Sequence, residues 1–143
     1  MPVIPPMDKK SILFICTKNS ARSQMAEALV NSLYGDRWKA FSGGTEPSGV
    51  NPFAVEAMKE VQIDISHHRS KNVSEYRGWH FNVVVTVCSA AAEACPFFPG
   101  DKIVHHPFAD PAGVGGTDEE RLEAFRRSRD DIKRWLQMML PSW

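Results

Sequence analysis

Residues 11–30 read SILFICTKNSARSQMAEALV, and the fold follows from how that stretch divides. Ser11 to Ile15 is a short apolar run with β-branched residues, the composition of a strand buried on both faces. Cys16 to Ser23 is polar. Beyond it Met25, Ala26, Leu29, Val30 and Leu33 recur at helical spacing, an amphipathic helix that stops near Gly35. Strand, loop and helix in this order are the front half of a βαβ unit.

The alternation continues along the chain. Trp38 to Phe41 predicts a second strand, closed by Ser42, Gly43 and Gly44. Asn51 and Pro52 read as the N-cap and first residue of a helix through Ala54, Val55 and Met58. Residues 64–80 are irregular, with a short helix near Val73 to Tyr76. Asn82 to Val87 (NVVVTV) is continuous and β-branched, a central strand covered on both faces. Ala90 to Ala94 suits one helical turn, and Lys102 to His105 is a weaker fourth strand. Residues 107–116, rich in Pro and Gly, read as loop. Thr117 and Glu120 form a capping box for a long last helix. Its stripe is Leu122, Phe125, Ile132, Leu136 and Met139, with Arg129 filling one gap, and Pro141 marks its end. The reading is α/β: three layers, with a four-stranded parallel sheet flanked by helices and right-handed crossovers. Ligands of such sheets gather outside the carboxyl ends of the strands. That rule puts Cys16, Ser42, Cys88 and Asp110, which follow successive strands, along one edge.

Composition sets bounds. A chain of 143 residues suits a single domain, 1–143, with residues 1–10 as a loose leader. The formal net charge is zero, which gives no footprint for nucleic acid or an anionic membrane, so attraction for an anion must be local. No apolar run is long enough to span a bilayer, and the first ten residues lack the apolar core of an export signal. A cytoplasmic protein is expected. Three cysteines are a poor basis for a disulfide scaffold and suit catalytic, redox or metal roles in a reducing compartment.

The segment Cys16, Thr17, Lys18, Asn19, Ser20, Ala21, Arg22, Ser23 has cysteine and arginine separated by five residues. A loop between a strand and a helix N-terminus aims several backbone N–H groups at one point, and the helix dipole adds positive potential. Such a site stabilises a thiolate and binds a tetrahedral oxyanion. Arg22 can grip two oxygens of that anion. Ser23 is placed to donate to the Cys16 sulfur, and Asn19 to brace the loop. The competing reading is a buried cysteine at a strand end beside a capping arginine.

The run CTKNSARSQMAEAL resembles the active-site loop of the low-molecular-weight tyrosine phosphatase superfamily, above all its thioredoxin-coupled arsenate reductases, which typically read C-T-G-N-S-C-R-S-Q-M-A-E. The resemblance implies a flavodoxin-like strand order 2-1-3-4. Lys18 stands where the family usually has glycine, so the backbone there must suit a side chain. Ala21 replaces a cysteine often found inside the loop, which removes a local disulfide partner for Cys16.

The resemblance also assigns the other cysteines. Cys88 and Cys95, before Pro96, look like the branch's redox pair. Cys16 attacks arsenate, Cys88 attacks Cys16 and arsenite leaves, Cys95 attacks Cys88, and thioredoxin or a similar dithiol protein reduces the Cys88–Cys95 disulfide. Glutaredoxin and mycothiol systems serve related enzymes. Seven residues of intact helix separate the two by about 10 Å along the axis, and a disulfide needs Cα atoms within about 7 Å, so the segment is expected to open on oxidation. The alternatives are two ordinary buried thiols, or zinc ligands together with His105 and His106; C-x6-C matches no common zinc pattern.

Asp110 and Pro111 match the superfamily's D-P loop, which implies that Asp110 is the general acid. No aromatic residue follows them to wall a slot for a phenol ring. Some family members hold potassium at positions matching Asn19, Glu27 and Ser42, with further ligands where this chain has Arg69 and Lys71. A cation of the protein's own could replace the ion, so no potassium dependence, no metal and no cofactor are expected. His67, His68, His105 and His106 read as loop or strand-end residues. The expected activity is reduction of arsenate by a monomer, with phosphate and sulfate as competing oxyanions. The alternatives are a low-molecular-weight tyrosine phosphatase, or a thiol sensor without turnover.

Overall fold

The computed structural model describes residues 9–88 and 98–143. Its strands are β1 (Lys10–Ile15), β2 (Trp38–Gly43), β3 (Val83–Thr86) and β4 (Lys102–His105), and its helices are α1 (Arg22–Leu33), α2 (Pro52–Lys59) and α3 (Asp118–Met139). The strands form one parallel sheet in the order β2-β1-β3-β4. The helical turn expected at Ala90 to Ala94 lies outside the described residues.

Alternation of side chains across β1 divides the core in two. Ile12 and Phe14 face a cluster with Met25, Leu29, Met58, Ile65, Phe125, Ile132 and Leu136, drawn from all three helices and the turn after α2. Leu13 and Ile15 face the other way, onto Tyr76, Phe81 and Val84, with Phe41, Trp79 and Phe98 packed around them. The Tyr76 hydroxyl donates to the Ser42 carbonyl at 2.8 Å and fastens that second layer to the sheet. Both faces of the central strands are therefore covered, which is why β1 and β3 carry near-continuous apolar runs.

Local sequence signals act where they stand. The Asn51 side chain accepts from the Phe53 N–H at 2.8 Å ahead of Pro52. Thr117 and Glu120 close the capping box of α3. Arg129 fits inside the apolar stripe because its guanidinium donates to the Ala57 carbonyl at 2.7 Å and meets Glu60 at 3.1 Å, both on the α2 side.

Three expectations need correction. Lys10 is not part of a loose leader: it opens β1, in register with Trp38. Ser42 and Gly43 do not close β2 but belong to it, because Phe14 and Ile15 extend the pairing to them. Residues 107–116 are not all loop. Asp110 caps a 3-10 turn at Pro111–Gly113, its carboxylate accepting from the Ala112 N–H at 3.0 Å.

Trp135, absent from the expected stripe, is buried and stacks on His106 with ring centroids 4.5 Å apart. Burial holds the His106 imidazole below its ordinary value, and neighbouring His105 adds to the effect. A depressed folded-state value means the folded chain binds fewer protons, so stability is full above about pH 6.5 and falls as the pH drops toward the folded value. Phenylalanine at 106 keeps the stack and removes the titration. Urea unfolding across pH 5–7 should therefore show a shallower acid loss for His106→Phe than for wild type; equal slopes would refute the assignment.

Candidate functional site

Cys16 follows β1 directly and is 2% exposed. Its N–H donates to the Gly43 carbonyl at 3.2 Å, which continues the β1–β2 ladder to Cys16. The chain then circles through residues 17–21 and enters α1 at Arg22. Each outward carbonyl of the loop is tied down. Thr17 O accepts from Glu46 N at 2.9 Å, Lys18 O from Ser48 N at 3.2 Å, and Ser20 O from Asn51 N at 2.9 Å. Ser70 Oγ lies 2.8 Å from Lys18 O and 2.7 Å from Asn19 O. With the carbonyls held outside, the amides turn inward: among the described residues, none of the N–H groups of residues 17–21 has a protein acceptor. Ala21 is the N-cap of α1 and supplies no capping side chain, and no acidic residue sits in the first turn. An uncapped helix start facing a ring of amides has the chemistry to hold an anion.

Asn19 takes the turn's left-handed conformation, φ +48°. Lys18 has no positive φ, so the lysine in the family's glycine position fits without strain.

Behind the loop runs a directed chain of hydrogen bonds. His68 Nδ1 lies 3.0 Å from Gln24 Oε1, an oxygen that can only accept. Gln24 Nε2 donates to Asn19 Oδ1 at 2.9 Å, Asn19 Nδ2 donates to Ser23 Oγ at 2.8 Å, and Ser23 Oγ lies 2.9 Å from Cys16 Sγ. With Asn19 donating to it, the Ser23 hydroxyl is left to donate to the sulfur, so each link orients the next and fixes the place of the Cys16 side chain.

Arg22 is 4% exposed, with Nη1 donating to the Phe108 carbonyl at 3.1 Å and Nη2 3.8 Å from Asp110 Oδ2. Asp110 is 41% exposed on its side chain. The guanidinium thus meets the segment Phe108 to Asp110 at both of its terminal nitrogens. Cys88 is buried at the end of β3, one strand over from Cys16. Val87 N donates to Ile15 O at 2.9 Å, and Cys88 Sγ lies 3.8 Å from the same oxygen. The register pairs Ile15 with Thr86, so Cys88 follows β3 two residues past that pair, and both cysteines belong to the same buried cluster. Cys95 lies outside the described residues.

Glu27 is half-buried beside the loop, where Ser42 Oγ donates to its Oε1 at 3.0 Å and Lys71 Nζ stands 3.9 Å away. Burial raises the Glu27 carboxyl above its ordinary value and lowers the Lys71 ammonium below its own. Lys71 Nζ also donates to Arg69 O at 2.9 Å, while the Arg69 guanidinium turns outward to Glu75 at 2.7 Å. Asn19 Oδ1 already accepts from Lys71 N and Gln24. The donor set does not fit a potassium ion, because a lysine ammonium fills the place of the charge. Replacing sodium by potassium at constant ionic strength should leave kcat/KM unchanged within error. A several-fold rise would refute this reading.

Gln24, Ser70, Gly44 and the 46–48 segment were not marked by the sequence. Only the S-Q pair after Arg22 and the Gly43-Gly44 doublet carried a trace of them. No group of three or more His, Cys, Asp or Glu side chains suited to a metal occurs among the described residues, and no described helix is long and apolar enough to cross a membrane.

Residues 11–140 match the family "Low molecular weight phosphotyrosine protein phosphatase". An arsenate reductase of Halalkalibacterium halodurans is 50% identical over 127 residues, covering 88% of this chain and 91% of the relative. One of Bacillus subtilis is 47% identical over 127 residues, with the same coverage of 88% and 91%. A solved arsenate reductase in its phosphate-binding state superposes with TM-score 0.77 at 29% identity, covering 93% of this chain and 98% of that one. The chain belongs to the low molecular weight phosphotyrosine protein phosphatase family, on its arsenate reductase branch.

Proposed function

We propose that this chain reduces arsenate to arsenite by a thiol relay from Cys16 to Cys88 to Cys95, regenerated by thioredoxin or a similar dithiol protein. One observation carries the reading: Cys88 Sγ lies 3.8 Å from the carbonyl of Ile15, the residue before Cys16. A hydrolase of phosphate esters needs no second thiol there.

Arsenate enters the amide ring formed by Thr17, Lys18, Asn19, Ser20, Ala21, Arg22 and Ser23, and Arg22 holds two of its oxygens. The Cys16 thiolate, stabilised by Ser23, attacks arsenic, and one oxygen leaves as water with a proton from Asp110. Cys88 then attacks Cys16 Sγ. The S–As electron pair goes to arsenic, As(V) becomes As(III), arsenite departs, and a Cys16–Cys88 disulfide remains. Cys95 attacks Cys88, which frees Cys16 and leaves a Cys88–Cys95 disulfide for the external dithiol. Two thiols are oxidised for each arsenate reduced, so electrons balance. Phosphate and sulfate, of the same shape, compete for the ring. All three thiols belong to one chain, so a monomer suffices. The relay requires a reducing compartment, consistent with the cytoplasm.

The test is NADPH consumption with arsenate, thioredoxin and thioredoxin reductase. Continuous consumption supports the reading. Efficient aryl phosphate hydrolysis without arsenate turnover would make the chain a phosphatase; neither activity would make it a sensor.

A further inference from the structure

Lys18 is the position where the loop departs from its family's glycine, and nothing in the relay uses its side chain. Its backbone is pinned, since its carbonyl accepts from both Ser48 and Ser70. Its side chain is exposed. The neighbouring cations are each offset by a carboxylate: Arg22 by Asp110, Lys71 by Glu27 and Arg69 by Glu75. Among the described residues, no carboxylate comes within 4.0 Å of the Lys18 ammonium. With zero formal net charge, the protein as a whole does not draw anions in.

We propose that the Lys18 ammonium is a capture charge at the mouth of the amide ring, a specificity-determining group that speeds entry of an oxyanion in proportion to the anion's charge. Lys18 Cα is at most about 7 Å from Cys16 Cα, because only two residues of chain separate them. In surroundings close to water, a unit charge at about 8 Å changes an encounter rate about twofold for a monoanion and about fivefold for a dianion at low salt. The lysine does not touch the reacting atoms, so chemistry after binding is untouched by it. The inference rests on reading the loop as an oxyanion site but does not require arsenate to be reduced.

The experiment compares alkylation of Cys16 by anionic iodoacetate and by neutral iodoacetamide in the fully reduced chain, with the Cys16 peptide quantified by mass spectrometry. Wild type, Lys18→Gln, Lys18→Glu and Lys18→Arg are compared. The expected iodoacetate-to-iodoacetamide ratio falls about twofold in Lys18→Gln and about fourfold in Lys18→Glu, and is retained in Lys18→Arg. The differences should shrink at 0.5 M salt, where the Debye length is about 4 Å. In arsenate turnover, Lys18→Gln should lose about fivefold in kcat/KM, with the loss in KM rather than kcat. An unchanged alkylation ratio in Lys18→Glu overturns the proposal. So does equal slowing of both reagents, which would mean a disturbed loop rather than a lost charge. A lowered ratio in a chain that never turns over arsenate keeps this inference and refutes the proposed function instead.

Discussion

Gly44→Ala should lose at least about a hundredfold in kcat/KM for arsenate, the order of loss expected when reacting groups are displaced by about 1 Å. A Cβ on Gly44 would lie 2.5 Å from the carbonyl oxygens of both Cys16 and Thr17, and 3.0 Å from the amide nitrogen of Asn19. All three are backbone atoms of the anion loop, so no side chain can swing aside to relieve the contact. Gly44 cannot retreat either. Its N–H donates to Lys71 O at 2.9 Å and its carbonyl accepts from Val73 N at 2.8 Å, which ties it to the segment that also braces Asn19. The loop must therefore move, and the amide ring opens. Overpacking of this kind also costs about 1–3 kcal/mol of stability, readable as a lower urea midpoint. Gly113→Ala is the control, because a Cβ there meets nothing within 4 Å. It should leave activity and midpoint as in wild type. Wild-type kcat/KM in Gly44→Ala would show that the crossing segment does not hold the loop in its working shape.

Cys95→Ser should stop after one arsenite per chain, however much thioredoxin is supplied. Cys16 and Cys88 are enough for one reduction, because together they supply both electrons. The product is then a disulfide between two thiols that are both buried, Cys16 being 2% exposed and Cys88 0%. An external thiolate must reach a sulfur to attack it, so the disulfide has to be passed to Cys95 before a protein reductant can remove it. Cys88→Ser should release no arsenite at all, since nothing attacks the Cys16 adduct. Arsenite counted per chain by chromatography with arsenic detection separates the three cases: many in wild type, one in Cys95→Ser and none in Cys88→Ser. Sustained turnover by Cys95→Ser would mean that the partner reaches the Cys16–Cys88 bond directly, and the relay would lose its third member.

The elements legible in the sequence are those whose cause is local. The continuous β-branched runs, the period-3.6 stripes, the Asn51-Pro52 start and the Thr117–Glu120 box each need only neighbours within a turn, and they appear in the fold where the residues predict them. The one departure in β4's neighbourhood, the turn at Pro111–Gly113, has a local cause as well: the Asp110 carboxylate caps its own backbone two residues on. A run of Pro and Gly conceals that signal. Trp135 and Arg129 were harder to read. One is an aromatic outside the expected stripe, and the other a charge inside it. Their places depend on His106 and on the Ala57 carbonyl, which arrive from other elements.

The chain by itself determined the alternation of strand and helix, and with it the strand-end loop where a cysteine and an arginine five residues apart can face one anion. It could not determine what holds that loop, because a carbonyl does not specify its donor. Ser70, Lys71 and Ser48 reach residues 18 and 19 across 30 to 52 positions of sequence, and only the packing of the crossing segments against the sheet edge selects them. The same holds for the two thiols. Cys16 and Cys88 are 72 residues apart and become neighbours only because β1 pairs with β3 rather than with β4.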